Sequence, residues 1–160
     1  MGSAVLLLLV ALVLARPWEE LGSEEGPASA TVVVTRVVDG DTVEVQLDGA
    51  EEDVRYIGVD TPETVKPDTP VQCFGPQASA FNHRLVEGRR VRLVFGAERR
   101  DVYGRLLAYV YLDGRFVNAE LVRRGLARTL TIPPNDRFAG QLKRLEIAAA
   151  RAGRGLWGVC

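Results

Sequence analysis

The chain is poor in the side chains that most often bind transition metals. It has 160 residues but a single histidine, His83, and only two cysteines, Cys73 and Cys160. No Cys-x-x-Cys pair occurs, which argues against a zinc site. An even number of cysteines would favour a disulfide if the protein were exported to an oxidising compartment. Two unrelated thiols are the alternative.

The chain also lacks an excess of charge of either sign. Its 20 Lys and Arg residues and 21 Asp and Glu residues give a formal net charge of −1, so nothing in the total indicates a polyanionic partner. Nucleic-acid binding would therefore need local clusters of arginine, although such runs are more often solvated faces. Two clusters are candidates: Arg99, Arg100 and Arg105, and Arg123, Arg124 and Arg128.

No hydrophobic run is long enough for an ordinary transmembrane helix. The run AVLLLLVALVLA, residues 4–15, falls short of the roughly 20 residues that span a hydrocarbon core. We expect residues 1–15 to be a signal peptide cut between Ala15 and Arg16, with a short membrane anchor as the alternative. The protein would then be secreted, periplasmic or on the cell surface. Residues 16–30 are acidic and rich in Gly, Ser and Pro, which indicates a flexible linker before a domain of residues 31–160.

From Thr31 onward the pattern is typical of short strands. Residues 42–47, TVEVQL, alternate between apolar and polar side chains, and Asp48 with Gly49 predicts a hairpin turn. Further strands are expected from residue 31, over 53–59, over 91–95 and over 106–112, the last apolar enough for burial on both faces.

Three helices are expected among these strands. The first begins at Pro76 and ends at Gly88, the second is capped by Asn118 and ends at Gly125, and the third covers about 136–152. Five strands and three helices indicate the α+β class. A five-stranded β-barrel of the oligonucleotide-binding type is the economical way to remove sheet edges at this size.

Two short stretches could bring acids together. Asp41 follows Gly40 at the start of a strand, and Asp60 ends a strand twenty residues later, just before Thr61-Pro62-Glu63. Two carboxylates and the Thr61 carbonyl are hard oxygen ligands suited to Ca²⁺ or Mg²⁺, but too few to fill a coordination shell. Water and substrate would complete it, and Glu63 could hold or deprotonate such a water. Two polar turns are the alternative.

Arginines could complete a site for phosphate. Guanidinium groups bind phosphate oxygens in pairs and stay protonated. Arg55 lies on the strand that leads to Asp60, and Arg105 precedes the apolar strand 106–112. Both are expected at strand ends, where the loops of a barrel gather.

Several motifs, in order, resemble the staphylococcal nuclease, or thermonuclease, family. They are VVDGDTVEV, VRYIGVDTPET, FGPQASAF, DVYGRLLAYVY and VNAELVRRGLA. The resemblance covers residues 31 to 157 and implies an oligonucleotide-binding barrel with three helices. It also implies a Ca²⁺-dependent phosphodiesterase that acts on DNA and RNA, preferably single-stranded, and leaves 3′-phosphate ends. We expect a monomer without a stable protein partner.

The resemblance also assigns roles to residues. It implies Asp41, Asp60 and the Thr61 carbonyl as calcium ligands, Arg55 and Arg105 as phosphate ligands, and Glu63 as the catalytic carboxylate. Exported relatives with a cysteine before the first helix and one at the chain end support a bridge between Cys73 and Cys160.

The chain departs from the family's type member at the rim of the nucleotide site. Val102 stands in place of a lysine, and residues 130–134, LTIPP, in place of tyrosines that seat the base and a terminal phosphate. These departures leave the reaction centre complete but put substrate preference in doubt. A domain of this fold that binds nucleic acid or protein without cutting is the alternative function, although the presence of Asp41, Asp60, Glu63, Arg55 and Arg105 argues against it. A cell-surface domain tethered by an uncut N-terminus is a third.

Overall fold

The computed structural model describes residues 28–160, so the predicted signal peptide and most of the predicted linker lie outside the described residues. The strands are β1 (Ser29–Val37), β2 (Thr42–Leu47), β3 (Ala50–Tyr56), β4 (Val59–Asp60), β5 (Arg90–Arg100), β6 (Leu106–Leu112), β7 (Arg115–Phe116) and β8 (Arg128–Thr129). The helices are α1 (Gly75–Val86), α2 (Val117–Arg123), α3 (Ala139–Arg151) and α4 (Leu156–Val159).

Five strands form a closed barrel. Antiparallel pairing gives the order β3-β2-β1-β5-β6, and parallel pairing of β3 with β6 closes the ring. Closure removes the unpaired strand edges that an open sheet would expose. The α+β class and the five-stranded barrel with three helices are confirmed, while the four-residue α4 was not predicted.

The interior of the barrel is filled by β-branched and aliphatic side chains from alternate strand positions. On β2, Val43 and Val45 are fully buried, whereas Glu44 between them and Gln46 after them are more exposed. On β6, five of seven residues are buried, which agrees with the predicted burial on both faces. The side chains at the centre of the core are Val34, Val43, Val45, Val54, Leu93 and Val110.

Several predicted boundaries were wrong, including those of β1, of the strand over 53–59 and of the last helix. β1 begins at Ser29, two residues before its expected start at Thr31. The strand expected over 53–59 is broken at Gly58, whose φ of +81° is a left-handed conformation, so β4 is a separate strand. The last helix begins at Ala139 instead of residue 136.

Asn118 is not the helix cap that the sequence suggested. It lies inside α2 and is fully buried, where its side chain accepts a hydrogen bond from the Val110 N–H (2.9 Å) and donates one to the Ile57 carbonyl (2.8 Å). It therefore joins α2 to β6 and to the turn that leads into β4. None of the helices between residues 28 and 160 has the length and apolarity needed to cross a membrane.

Candidate active site

The two acidic stretches of the sequence meet at Asp41 and Thr61. Asp39 turns the chain by accepting the Asp41 N–H on Oδ1 (3.0 Å). A Cβ on Gly40 would lie 2.7 Å from the Thr61 side chain, so only glycine permits this approach. Asp41 Oδ2 then accepts both the Thr61 N–H (2.6 Å) and the Thr61 hydroxyl (2.9 Å). These bonds fix residues twenty apart in sequence against each other.

Asp41 is a buried carboxylate, with only 3% of the residue exposed. Burial raises its pKa to about 7, and the neighbouring Asp39 adds to the rise, while the Arg55 guanidinium and the two Thr61 donors oppose it. A buried carboxyl group with a strongly raised pKa is typical of functional sites.

Arg55 connects the two aspartates. Its Nη1 lies 3.2 Å from Asp41 Oδ2, and its Nη2 lies 3.0 Å from Asp60 Oδ1. Nη1 also donates to the Tyr56 and Val59 carbonyls, at 3.1 and 2.9 Å, which anchors the guanidinium to the turn before β4. Hairpin pairing explains its position, because Arg55 on β3 lies opposite Thr42 on β2, next to Asp41.

Glu63 organises the loop after β4. Its Oε1 accepts the N–H groups of Thr64 (2.8 Å), Val65 (2.8 Å) and Lys66 (3.0 Å). Burial alone would raise the pKa of Glu63, but these three donors outweigh it and lower the pKa below its ordinary value. Glu63 is therefore ionised at neutral pH, and its Oε2 makes no hydrogen bond within the described residues.

Arg105 is held by a tight turn. Asp101 Oδ1 accepts its backbone N–H (3.0 Å), and Asp101 Oδ2 accepts from its Nε (2.7 Å) and pairs with its Nη2 (2.7 Å). The guanidinium also lies over the Tyr103 ring, 5.5 Å from its centroid. Within the described residues, the other terminal nitrogen, Nη1, makes no hydrogen bond.

All six predicted site residues line one cleft of about 570 Å³: Asp41, Arg55, Asp60, Thr61, Glu63 and Arg105. Sequence reasoning did not assign five other charged residues on the same walls to the site: Arg36, Asp39, Glu44, Asp53 and Lys66. Two of these, Glu44 and Asp53, could have been predicted from the sequence. The register of the Asp48–Gly49 hairpin places them directly opposite each other.

The cleft offers donors for a hard cation. Six acidic residues and four basic ones line it, and a divalent cation would balance that excess of acid. The donor types of Asp41, Asp60 and the Thr61 carbonyl are those that Ca²⁺ accepts, so this chain's residues fit the ion. Among residues 28–160, no group of three or more acidic, histidine or cysteine side chains forms a metal cluster. An ion bound here would need water or substrate oxygens to complete its coordination shell.

A second pocket adjoins the cleft and is mainly apolar. It has a volume of about 300 Å³ and shares Arg55, Tyr103 and Arg105 with the cleft. Val102, Leu130 and Ile132 line it, and all three are exposed although they are large and apolar. These residues occupy the segments in which the sequence departs from the family's type member.

The disulfide between Cys73 and Cys160 is formed. It ties the loop that carries Glu63 to the end of α4. A small cavity of about 200 Å³ beside it is also lined by Asp60 and Thr61. The bridge thus lies next to the cleft.

Comparisons with known proteins show which family the chain resembles. The family described as staphylococcal nuclease homologue matches residues 53–159. The thermonuclease of Staphylococcus intermedius is 46% identical over 125 residues, 78% of this chain and 74% of its own. That of Staphylococcus hyicus is 42% identical over 127 residues, 79% and 75%. Endonuclease YncB of Bacillus subtilis is 43% identical over 128 residues, 79% and 61%.

Proposed function

Because this chain belongs to the family of staphylococcal nuclease homologues, we propose that it is a nuclease that hydrolyses phosphodiester bonds in DNA and RNA. The observation that carries the proposal is the convergence of Asp41, Asp60, Glu63 and two arginines in one cleft. Each residue taken alone could be explained as part of a turn or a structural ion pair. Together they supply a cation site, phosphate ligands and a proton acceptor. The relatives named thermonuclease and endonuclease support this choice of reaction.

Calcium is the proposed cofactor. Asp41, Asp60 and the Thr61 carbonyl would hold it, and the remaining positions of its shell would be filled by water and phosphate oxygen. When bound, Ca²⁺ supplies positive charge that stabilises the negative charge gained by the phosphate in the transition state.

Two arginines bind the scissile phosphate in this proposal. Arg105 is positioned to bind phosphate. Asp101 holds one edge of its guanidinium, and its Nη1 has no hydrogen-bond partner within the described residues. Arg55 is bound more fully by carbonyls and by Asp41 and Asp60, so its main effect is to place positive charge against the acidic wall. A fixed guanidinium stabilises developing charge without having to reorganise during the reaction.

Glu63 positions the attacking water and accepts its proton. The water oxygen attacks phosphorus, its proton passes to Glu63, and the bond from phosphorus to the 5′ oxygen breaks. The 5′ oxygen then takes up a proton to leave a 5′-hydroxyl, and the other product ends in a 3′-phosphate. The lowered pKa of Glu63 keeps it ionised at neutral pH but makes it a weak base. Ordering of the water is therefore at least as important as proton removal.

The apolar pocket supports a preference for single strands. Val102, Leu130 and Ile132 present an apolar wall next to Arg55 and Arg105. Such a wall can receive a base that has left its stack, and unpaired bases are available without melting a duplex. The exposed Tyr103 beside Arg105 could stack on the same base.

Export is part of the proposal. The apolar residues 4–15 would direct secretion as a signal peptide, with a retained anchor as the alternative. The disulfide supports this, because such bonds persist in oxidising compartments. We expect the mature protein to be a monomer.

The test is cleavage of a labelled single-stranded oligonucleotide with Ca²⁺ and with excess chelator. Glu63→Gln and Arg105→Lys should each lower the rate by about 10² or more. Glu51→Gln and Arg90→Lys are matched controls, because both residues are exposed and neither lines the cleft. Binding of the oligonucleotide with no calcium-dependent cleavage would instead establish a binding module of this fold.

A further inference from the structure

Arginines gather in a second groove, away from the catalytic cleft. It is formed by α1, the end of α2 and the loop before α4, and has a volume of about 640 Å³. We call it the arginine groove, after the four arginines in its wall: Arg84, Arg123, Arg124 and Arg154. Of these, Arg123 and Arg124 belong to a cluster already noted in the sequence, together with Arg128. Arg84 and Arg154 join them through folding.

Two glycines build the groove. A Cβ on Gly125 would lie 2.1 Å from the Arg154 carbonyl oxygen, and one on Gly155 would lie 2.2 Å from the Gly125 carbonyl oxygen. The Leu156 N–H donates to the Gly125 carbonyl at 2.9 Å. This direct backbone contact places the end of α2 against the loop before α4, so their arginines share one surface.

The groove carries uncompensated positive charge. Of the described residues that line it, none is acidic. Glu120, beside it, pairs with both Arg123 (2.6 Å) and Arg124 (3.3 Å). Arg84 and Arg154 form no salt bridge within residues 28–160, and all four arginines are exposed. A structural ion-pair network would not need this excess of cations.

An aromatic ring supports the groove. The Arg124 guanidinium lies 4.9 Å from the centre of the Phe81 ring, and Phe74 lines the same groove. A guanidinium placed over a ring keeps the N–H donors around its edge, where phosphate oxygens can bind in pairs.

The groove continues towards the catalytic cleft. The cavity beside the disulfide connects the groove to the cleft. On the groove side it is lined by Cys73 and Leu156, which are the chain neighbours of the groove residues Phe74 and Gly155. The same cavity is lined by Asp60 and Thr61 of the cleft. Arg128 also lines it and lies over the Trp157 ring at 4.4 Å. Arg128 therefore places a further guanidinium between the arginine groove and the catalytic cleft.

We infer that the arginine groove binds the sugar–phosphate backbone of the polynucleotide strand that extends beyond the catalytic cleft. The choice of ligand rests on the proposed nuclease function and on the connection through Arg128. Arginine contacts to phosphate increase affinity for long strands and do not read sequence. A substrate too short to leave the cleft gains nothing from them.

The test compares a labelled 30-nucleotide strand with a 4-nucleotide strand, by equilibrium binding in chelator and by kcat/KM in Ca²⁺. The variant is Arg84→Glu with Arg154→Glu. We expect its affinity and kcat/KM for the long strand to fall by about tenfold or more and those for the short strand to change less than twofold. The slope of log affinity against log salt for the long strand should decrease in size by about 1.4, which is two phosphate contacts.

Arg90→Glu with Arg92→Glu is the matched control. Both residues are exposed, neither lines the cleft or the groove, and Arg92 also lies over an aromatic ring, that of Tyr111, at 4.7 Å. The change in net charge is identical. If the two double variants bind the long strand equally well, the inference is overturned. Arg84→Gln with Arg154→Gln should give a smaller loss in the same direction, which guards against misfolding of the charge-reversed variant.

Two further outcomes separate the proposals. If the protein binds the long strand through the groove but cleaves neither substrate, the nuclease proposal fails and the groove stands. If the groove variant loses binding to vesicles with 30% anionic phospholipid but still binds the long strand like the control, the groove faces a membrane and the inference is overturned.

Discussion

Glu146 should stabilise the fold through its charge, although it lies with Leu142 and Ala149 on the buried side of α3. Its Oε1 accepts the Thr129 N–H and its Oε2 accepts the Thr129 hydroxyl, both at 2.8 Å, and Lys143 pairs with the same carboxylate. Only 6% of the residue is exposed. Because Thr129 pairs with Val59 across β8 and β4, Glu146 also fixes the strand that ends at Asp60. The perturbation is Glu146→Gln, which keeps the shape and removes the charge.

The expected loss of stability is about 2 kcal/mol at pH 7. Hydrogen bonds to charged groups contribute roughly 1 kcal/mol more than neutral ones, and two such bonds change here. The exposed Lys143 adds little. In a domain of this size, about 2 kcal/mol lowers the midpoint of thermal unfolding by roughly 7 °C.

The dependence on pH tests the cause. Burial raises the pKa of Glu146, but Lys143 and the two Thr129 donors together lower it below its ordinary value. A carboxyl group whose pKa is lowered on folding contributes stability above its unfolded pKa of about 4.5, and that contribution disappears as the pH falls through the folded pKa. The stability difference between the wild type and Glu146→Gln should therefore shrink between pH 5 and pH 3.

Urea unfolding over this pH series measures the difference directly. Glu51→Gln is the control, because that carboxylate is exposed on β3 and should cost less than about 0.5 kcal/mol. A double-mutant cycle with Thr129→Val should give a coupling energy of about 1 kcal/mol. An equal difference at pH 7 and pH 3, or no coupling to Thr129, would refute the assignment of the effect to the ionised carboxylate.

Three other changes have defined outcomes in urea unfolding. Gly125→Ala should cost at least about 2 kcal/mol, because its φ is +69° and a backbone carbonyl occupies the space for Cβ, whereas Gly114→Ala, at φ +79° with open space, should cost only about 1 kcal/mol. Asn118→Ala should cost about 2 to 4 kcal/mol by leaving two buried backbone groups unbonded, and a cost below 1 kcal/mol would mean that water replaces the amide. Reduction of the Cys73–Cys160 bond should cost about 4 kcal/mol, since the cysteines are 87 residues apart, and Cys73→Ser with Cys160→Ser should not respond to the reductant.

Local patterns indicated the strands of the barrel and part of its cleft. Alternation over residues 42–47 and the Asp48–Gly49 turn fix the register of β2 with β3, and that register places Arg55 next to Asp41. The approach of Thr61 to Gly40 could not be predicted locally, because it depends on the break at Gly58 and on closure of the barrel. The family resemblance supplied that information.

Sequence reasoning did not find the roles of two residues that bond to groups far away in the chain, Asn118 and Glu146. Asn118 before an apolar helical pattern fits a cap, since a cap and a buried bridging amide have the same local sequence. Glu146 is four residues after Leu142, on the buried side of α3. In the sequence, an acid at such a position only interrupts the apolar pattern of the helix. In both cases the partner is a backbone group more than 15 residues away in at least one bond. Periodicity contains no information about such a partner.

Net charge was misleading for a related reason. A total of −1 gave no indication of a polyanionic partner, yet folding separates the charges instead of mixing them. The cleft collects six acids and four bases, and the arginine groove collects four arginines and no acid among its described residues. Both arrangements suit the proposed function, in which the acids would favour a cation at the point of cleavage and the arginines would attract the phosphates of the strand beyond it. Because the total charge sums over the whole chain, it hides both arrangements, and the distribution of charge over the surface decides whether a phosphodiester chain can bind.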